Sequence, residues 1–254
     1  MIAALLAGSL GAAACGGEAR ARAEHAGRAA ARAADTTGRT PYRVIAVPDG
    51  GRITGRVTVS GRTPRDTLVR LAERVPGCGT RILIPRVERH GDRLEHAIVW
   101  LDGVRAGKPL PIDRRYELET RGCRYRPRVQ AAAAGGMLNV LNLDRAEHDT
   151  HLTRDGVTVD EVRASDAGQV VPTPKPLAAP GLVEAMCALQ PWAHAWIRVF
   201  DHPYFADTKR DGTFSIDSVP PGIYRLRVWQ PDLGERDAEV KVTAGKSASV
   251  VVKF

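Results

Sequence analysis

Residues 211–229 read DGTFSIDSVPPGIYRLRVW and carry the strongest structural signal in the chain. Asp211-Gly212 favours a tight turn, and Phe214 and Ile216 follow two residues apart, which places both side chains on one face of a strand. The corner at Pro220-Pro221-Gly222 ends this strand and starts another. The apolar face of the second strand is formed by Tyr224, Leu226 and Val228. Residues 211–229 therefore predict two short strands that share a core.

The same period of two occurs earlier in the chain. Residues 51–59, GRITGRVTV, alternate polar and apolar side chains as a half-buried strand does. Only residues 66–74, with apolar residues at helical spacing, predict a short helix. Further strands are expected at residues 81–87, 96–101, 116–119, 137–143 and 157–162. We predict an all-β protein built from two antiparallel β-sandwich domains, because short strands separated by Gly and Pro give sheets with one wet and one dry face.

The C-terminal motifs resemble a known module. The D-G-x-F strand, the V-P-P-G turn and the Y-x-L-x-V-W strand within residues 211–229 are similar to the carboxypeptidase-regulatory-like module, a small prealbumin-type β-sandwich. The resemblance implies such a sandwich over residues 195–254. It also implies a packing or binding role without catalysis, although a fold alone assigns no activity.

The middle of the chain resembles a group of bacterial periplasmic proteins that place a cupredoxin-like domain before such a module. The resemblance rests on three segments, GCRYRPRV at 122–129, LNVLNLD at 138–144 with His148 and His151 after it, and CALQPWAHAW at 187–196. It implies a cupredoxin-like β-sandwich over residues 46–194.

The resemblance also implies a metal-ligand pattern, which this chain keeps only in part. Blue copper requires two imidazoles, one thiolate and a weak axial ligand. His148 matches the first imidazole and Cys187 matches the thiolate, but Gln190 stands at the position of the second histidine and Ala193 at that of the axial methionine. We therefore predict a vestigial site without a cofactor, formed by His148, Cys187, Gln190 and His194.

Alternatives remain open at this site. His194 is a candidate second imidazole, because the loop between the cysteine and histidine ligands varies in length among cupredoxins; copper would then be bound. His148 and His151 also suit a weak surface zinc or copper site, or a pair of loop histidines without metal.

The N-terminus indicates export. Residues 2–14 form an apolar run of small residues, too short to span a bilayer and long enough for a signal peptide, which we predict over residues 1–14. The run ends in small residues before Cys15 and resembles the lipobox of bacterial lipoproteins, which implies lipidation of Cys15. The alternative is an ordinary cleaved secretory signal. We expect an exported protein, lipid-anchored in the cell envelope at the periplasm or outer membrane.

A tether is expected to follow over residues 15–45. Most of it, from Gly16 to Arg39, has no apolar side chain larger than alanine and cannot bury a core. Its role would be to hold the folded domains at a distance from the membrane surface.

The remaining cysteines are odd in number. Once Cys15 is assigned to lipid, Cys78, Cys123 and Cys187 remain, and one disulfide plus one separate thiol is the simplest arrangement in an oxidising compartment. The resemblance implies that Cys78 pairs with Cys123 and leaves Cys187 at the ligand-like position.

Several function classes are disfavoured. The net charge of +8 is spread along strand-like segments with only 5% aromatic residues, which argues against nucleic-acid binding. No hydrolase elbow, zinc-protease helix, phosphate-binding glycine loop or C-x-x-C pair occurs, so we expect no enzyme.

The partner is expected to be a protein or a carbohydrate, with four aromatic residues as candidate contacts: Trp192, Trp196, Tyr204 and Trp229. The alternative function is electron transfer or copper handling.

Overall fold

The computed structural model describes residues 41–254, and this part of the chain is all β, without a helix. None of its segments forms a helix long and apolar enough to cross a bilayer. The strands are β1 (Arg43–Val44), β2 (Gly51–Thr58), β3 (Thr67–Val75), β4 (Gly79–Ile84), β5 (Arg89–His90), β6 (Arg93–Leu94), β7 (Ile98–Leu101), β8 (Ala106–Gly107), β9 (Arg115–Thr120), β10 (Tyr125–Arg126), β11 (Val129–Ala133), β12 (Met137–Asn142), β13 (His148–Arg154), β14 (Val157–Ala164), β15 (Val170–Pro172), β16 (Gly181–Cys187), β17 (His194–Phe200), β18 (Phe205–Asp207), β19 (Thr213–Val219), β20 (Gly222–Gln230), β21 (Gly234–Val242) and β22 (Ser247–Lys253).

One sandwich, which we name the central sandwich, lies within residues 115–200. Its two sheets have the orders β10-β9-β12-β15 and β11-β17-β16-β13-β14. A core of Leu118, Leu138, Leu152 and Ile197 fills the space between them. This core forms because the strands alternate: in β16 the side chains of Val183, Ala185 and Cys187 are buried and their neighbours are not.

The other sandwich, which we name the split sandwich, takes strands from both ends of the described chain. Its sheets have the orders β18-β7-β20-β21 and β19-β2-β6-β5, with β22 paired to β2. Phe214, Ile216, Leu226 and Val228 lie in its core, as the sequence predicts, and Tyr224 packs against that core. At Gly55 in β2, a Cβ atom would lie 2.4 Å from the Phe214 ring, so a glycine is required where these strands pair.

The pairing corrects the expected boundary between residues 194 and 195. Strand β2 pairs with β19 and β22, and β7 pairs with β20, so residues 51–58 and 98–101 belong to the C-terminal sandwich. Conversely, β17 (His194–Phe200) pairs with β16 and β11 in the central sandwich. Local patterns identify strands but carry no information on which distant strand becomes the partner, and this is why the linear division is wrong.

The prediction of two β-sandwiches is confirmed. The sheets are mostly antiparallel, with parallel pairs at β1–β8, β9–β12, β11–β17 and β2–β22. The strands expected at residues 51–59, 81–87, 96–101, 116–119, 137–143 and 157–162 all occur within a few residues of those bounds.

The helix expected at residues 66–74 is absent, and β3 takes its place. This strand pairs with β4 in a two-stranded sheet, with Thr67 opposite Ile84 and Val75 opposite Gly79. Val69, Leu71 and Val75 pack with the disulfide, and burial at alternate positions outweighs the weak helical spacing. The disulfide between Cys78 and Cys123 is present as predicted, so it ties the end of this hairpin to the central sandwich.

The expected tether ends earlier than residue 45. Tyr42 donates a hydrogen bond from its hydroxyl to the carbonyl oxygen of Lys108 (2.7 Å) and packs against the core of the split sandwich. Arg43–Val44 forms β1, parallel to β8. The signal peptide at residues 1–14, Cys15 and the tether up to residue 40 lie outside the described residues.

Candidate functional site

The predicted site lies at one end of the central sandwich. His148 starts β13 and Cys187 ends β16, and these strands are neighbours with Thr150 opposite Cys187. His148 and Thr150 are two residues apart, so both side chains share the buried face with the thiol. After Cys187 the chain turns through Gln190 and returns into β17. The structure therefore brings three of the four predicted site residues together: His148, Cys187 and Gln190.

The contacts around Cys187 are short and buried. The Cys187 Sγ lies 3.7 Å from His148 Nδ1 and 2.6 Å from Gln190 Oε1. The Gln190 amide is held in place because its Nε2 donates to the carbonyl oxygen of Glu147 (3.1 Å). Since an amide oxygen only accepts hydrogen bonds, the thiol keeps its proton while this contact is made.

Asp144 fixes the other side of the imidazole. Its Oδ2 lies 3.1 Å from His148 Nε2, and its carboxylate accepts hydrogen bonds from the backbone N–H groups of Gly122 (2.6 Å) and Cys123 (2.9 Å). A carboxylate behind a histidine orients the ring and leaves Nδ1 facing the thiol. Sequence analysis did not identify Asp144 as part of the site, although its position four residues before His148 is a usable signal.

The buried charges shift the pKa values of these groups. Burial lowers the pKa of His148, but the hydrogen bond with Asp144 and the nearby Cys187 sulfur outweigh it and raise that pKa to about 9. Burial raises the pKa of the Cys187 thiol, while His148 and backbone hydrogen bonds lower it by more, so the net shift is downward. The contact between Cys187 and His148 therefore shifts the two pKa values in opposite directions.

The donor set does not fit a blue-copper ion. Two ligands that share one metal ion lie roughly 3.5 Å apart, given metal–ligand bonds of about 2.0 to 2.3 Å. The separation of 3.7 Å between Cys187 Sγ and His148 Nδ1 meets this condition. The separation of 2.6 Å between Cys187 Sγ and Gln190 Oε1 does not, because it leaves no room for an ion between the two atoms.

The remaining predicted positions do not complete the set. His194 lies apart from the thiol: its Nδ1 contacts Glu184 Oε1 (2.8 Å) and its Nε2 contacts the carbonyl oxygen of Pro191 (2.9 Å). Ala193 is buried in the core, where its methyl group has no donor atom. The interpretation of His194 as the second imidazole ligand is therefore wrong for this arrangement of side chains.

His151 does not join His148 in a surface site. It lies on β13 with its Nε2 at 3.4 Å from Asp149 Oδ1, whereas His148 is fully buried. One group of three potential metal ligands lies close together in the described part of the chain, namely Cys78, Cys123 and Asp144. Both of its sulfurs are consumed by the disulfide, so this group is a structural cross-link.

The aromatic side chains expected to contact a ligand form no common platform. Tyr204 is fully buried in the split sandwich. Trp192 donates from its indole nitrogen to the carbonyl oxygen of Cys123 (3.0 Å). The Arg128 guanidinium lies 4.4 Å from the ring centroid of Trp196, and the His194 ring stacks at 6.1 Å. Trp229 is half-buried, with the Arg198 guanidinium 5.7 Å from its ring centroid.

A cleft that sequence analysis missed opens beside both sandwiches. Its volume is about 720 Å³, within the range of small-ligand sites. Charged and titratable groups line it: Glu88, Arg89, His90, Glu95, His96, Glu117, Glu119, Arg126 and Arg210. These residues come from β5, β9 and β10 and from loops next to the strands, so only the pairing of the strands assembles the cleft.

Comparison with protein families gives one partial match. A model described as polysaccharide lyase family 4, domain II, matches residues 179–250, well under half of the chain. No curated protein matches the sequence.

Comparison with solved structures gives copper proteins at low similarity. A copper-containing nitrite reductase from Thermus scotoductus is 20% identical over 39% of this chain and 24% of its own length, with a TM-score of 0.29. A purple cupredoxin from Nitrosopumilus maritimus is 14% identical over 34% of this chain and 99% of its own, and amicyanin from Paracoccus versutus is 14% identical over 40% and 97%, both with TM-scores of 0.29. The chain thus spans about a quarter of the reductase, and scores at this level carry no argument about ligand or activity.

Proposed function

We propose that this chain is a non-catalytic binding protein of the cell envelope, built on a sandwich whose former metal position is closed by protein groups. The observation that carries the proposal is the Gln190 side chain, which accepts from the Cys187 thiol and donates to the backbone at Glu147. A glutamine held by two hydrogen bonds satisfies the buried thiol without an ion.

The cleft of about 720 Å³ is the proposed ligand site. Carboxylates, imidazoles and guanidinium groups along its walls provide donors and acceptors for a polar partner, either a protein segment or a carbohydrate. The polysaccharide lyase description of the partial family match makes an oligosaccharide the first ligand class to test.

Copper-dependent electron transfer is the second candidate function. One observation favours it, the 3.7 Å separation between Cys187 Sγ and His148 Nδ1, which suits two ligands of one ion. The positions of Gln190, Ala193 and His194 weigh against it, since they supply an amide, a methyl group and an imidazole directed elsewhere.

Repair of the ligand set distinguishes the two functions. We expect the natural protein to stay colourless with Cu(II), and Gln190→His with Ala193→Met to gain a thiolate charge-transfer band, because the missing imidazole and thioether are restored. Cys187→Ala in the repaired background is the matched control and should remove the band. A natural protein that turns blue would favour electron transfer, and a folded repaired variant that stays colourless would overturn the relationship to cupredoxins.

The proposed attachment is tested separately. We propose that Cys15 carries the lipid, so Cys15→Ala should move the protein from the membrane fraction to the soluble periplasmic fraction. Retention of the variant on the membrane would contradict lipid anchoring at this residue.

A further inference from the structure

A second hollow, which we name the apolar pocket, lies in the central sandwich away from Cys187. Its volume is about 350 Å³, within the range of small-ligand sites. Buried side chains of the sandwich core form its floor: Leu152, Leu177 and Val183. Val183 comes four residues before Cys187 on β16, a distance of about 13 Å along the strand. The apolar pocket is therefore distinct from the polar site at Cys187.

The walls of the apolar pocket are apolar as well. They are formed by Val159 on β14, which is the edge strand of its sheet, and by Pro176, Ala178 and Ala179 on the segment after β15. Protein interiors are close-packed, and atoms that line an unfilled hollow lose the dispersion contacts they would otherwise make. A ligand with an apolar body would restore those contacts.

Hydrogen bonds hold the segment that covers the pocket in place. The backbone of Leu177 accepts from the N–H of Gly135 (2.9 Å) and donates to the carbonyl oxygen of Gly136 (2.8 Å). The carbonyl oxygen of Lys175 accepts from the hydroxyl of Thr173 (2.9 Å). The pocket is therefore formed by the fold itself, and a ligand that enters it pays little for the ordering of the chain.

Two cationic side chains and one carboxylate stand at the rim of the pocket: Arg154, Lys175 and Asp160. The two oxygens of Asp160 accept from the backbone N–H groups of Glu161 (3.1 Å) and Lys175 (3.0 Å). Arg154 donates from Nη2 to the carbonyl oxygen of Ala179 (2.7 Å), whereas its buried Nε has no hydrogen-bond partner in the described part of the chain. The rim thus carries a net positive charge and a guanidinium with an unused donor, and both favour an anionic group.

We propose that the apolar pocket binds a medium-chain fatty acid, that is, an unbranched alkyl chain that ends in a carboxylate. The chain packs on the floor of the pocket, and the carboxylate faces Arg154 and Lys175 at the rim. A carbohydrate does not suit this pocket, because the side chains of its floor and walls offer no hydrogen-bonding group. The site is separate from the cleft and does not depend on the ligand proposed there.

Calorimetric titration of the full chain with decanoate, kept below its micelle concentration, tests the proposal. We expect one equivalent to bind, with an affinity that rises about fourfold for each methylene added from hexanoate to decanoate. Decanol should bind more weakly and decylamine most weakly, because the rim is positively charged. Arg154→Gln should weaken the binding of decanoate by about tenfold and leave that of decanol unchanged, since only the carboxylate uses the guanidinium. Equal losses for both probes would overturn the placement of the carboxylate at the rim.

Two valines on β14 provide a matched pair of variants that locates the bound chain. Val159 is 40% exposed and lines the pocket, whereas Val157 is 65% exposed and lies outside the lining. Val159→Trp should therefore abolish the binding of decanoate and decanol, and Val157→Trp should bind both as the natural protein does. Circular dichroism reports whether each variant is folded. The proposal is overturned if decanoate does not bind at one equivalent, if decylamine binds as tightly as decanoate, or if the folded Val159→Trp variant still binds.

Discussion

The two sandwiches bury different kinds of side chain. The core of the split sandwich is formed by apolar and aromatic residues, such as Ile53, Leu101 and Leu226. The central sandwich also has an apolar core, but its end holds a buried polar set of Asn142, Asp144, His148, Thr150 and Gln190. An apolar core tolerates exchange among residues of similar volume, whereas each buried polar group needs a specific partner. The central sandwich therefore gathers at one end several side chains whose identity matters, whereas the split sandwich buries a smaller polar set of His202, Thr208 and Gln230 beside its apolar core.

The largest effect should come from the polar end of the central sandwich. Asp144→Ala removes the acceptor for the N–H groups of Gly122 and Cys123 and the partner of His148. Loss of one member of a buried ionic network costs about 3 to 5 kcal/mol of the free energy of unfolding. Urea denaturation measures it. Asp144→Asn retains one acceptor oxygen and should lose less; a loss below about 1 kcal/mol in the alanine variant would show that the network is not stabilising.

In the split sandwich, removal of volume should have a somewhat smaller effect. Leu226 is fully buried, and Leu226→Ala should cost about 3 kcal/mol through lost burial and the cavity that remains. Ile223 lies on the same strand and is 65% exposed, so Ile223→Ala is the matched control, with an expected change within about 0.5 kcal/mol. Equal losses from both variants would contradict the assignment of the inner face of β20.

A pH-dependent effect concerns the junction between the sandwiches. Asp207 on β18 accepts a hydrogen bond from the backbone N–H of Ala131 on β11 (2.9 Å). Burial raises the pKa of Asp207 to about 7, and the hydrogen bond from Ala131 and the charge of His96 only partly oppose this shift. Because the folded state holds this proton more tightly than the unfolded chain, the group lowers stability as pH rises from about 4 to about 7, by about 1.4 kcal/mol for each pKa unit before allowance for partial exposure.

Asp207→Asn removes that titration while it keeps an acceptor for Ala131. The stability of the variant relative to the natural protein should therefore increase between about pH 4 and pH 7 and stay constant above that range. Thermal unfolding at matched pH values measures the difference. A difference that does not change with pH would show that Asp207 titrates normally in the folded protein.

Sequence-based predictions are accurate where the structure depends on neighbouring residues and fail where it depends on residues far apart in the chain. Strands with strict alternation, such as β2 and β20, were predicted close to their observed bounds because the alternation is local. The helix expected at residues 66–74 was wrong because packing of β3 on β4 and on the disulfide is decided by distant residues. The resemblance to known proteins, rather than the spacing of residues, supplied the pairing of Cys78 with Cys123.

The candidate site divides in the same way. The proximity of His148, Cys187 and Gln190 was expected from the motif and is present. The direction of His194 was open in the sequence, and its contact with Glu184 on the neighbouring strand decided it. Asp144 and the cleft were missed, because their roles depend on contacts between segments far apart in the chain.

The sequence by itself determined the β class, the inward faces of the strands and the incomplete set of metal ligands, since each is a property of residue type and local period. The tertiary structure alone decided that residues 51–58 complete the C-terminal sandwich and that Gln190 fills the space beside the thiol. It also decided that Glu88, His90, Glu95 and His96 line one cleft together with Glu117, Glu119 and Arg126 from the other sandwich. The physical reason is that strand pairing and side-chain contacts join residues far apart in the chain, whereas a short sequence pattern describes only neighbouring residues.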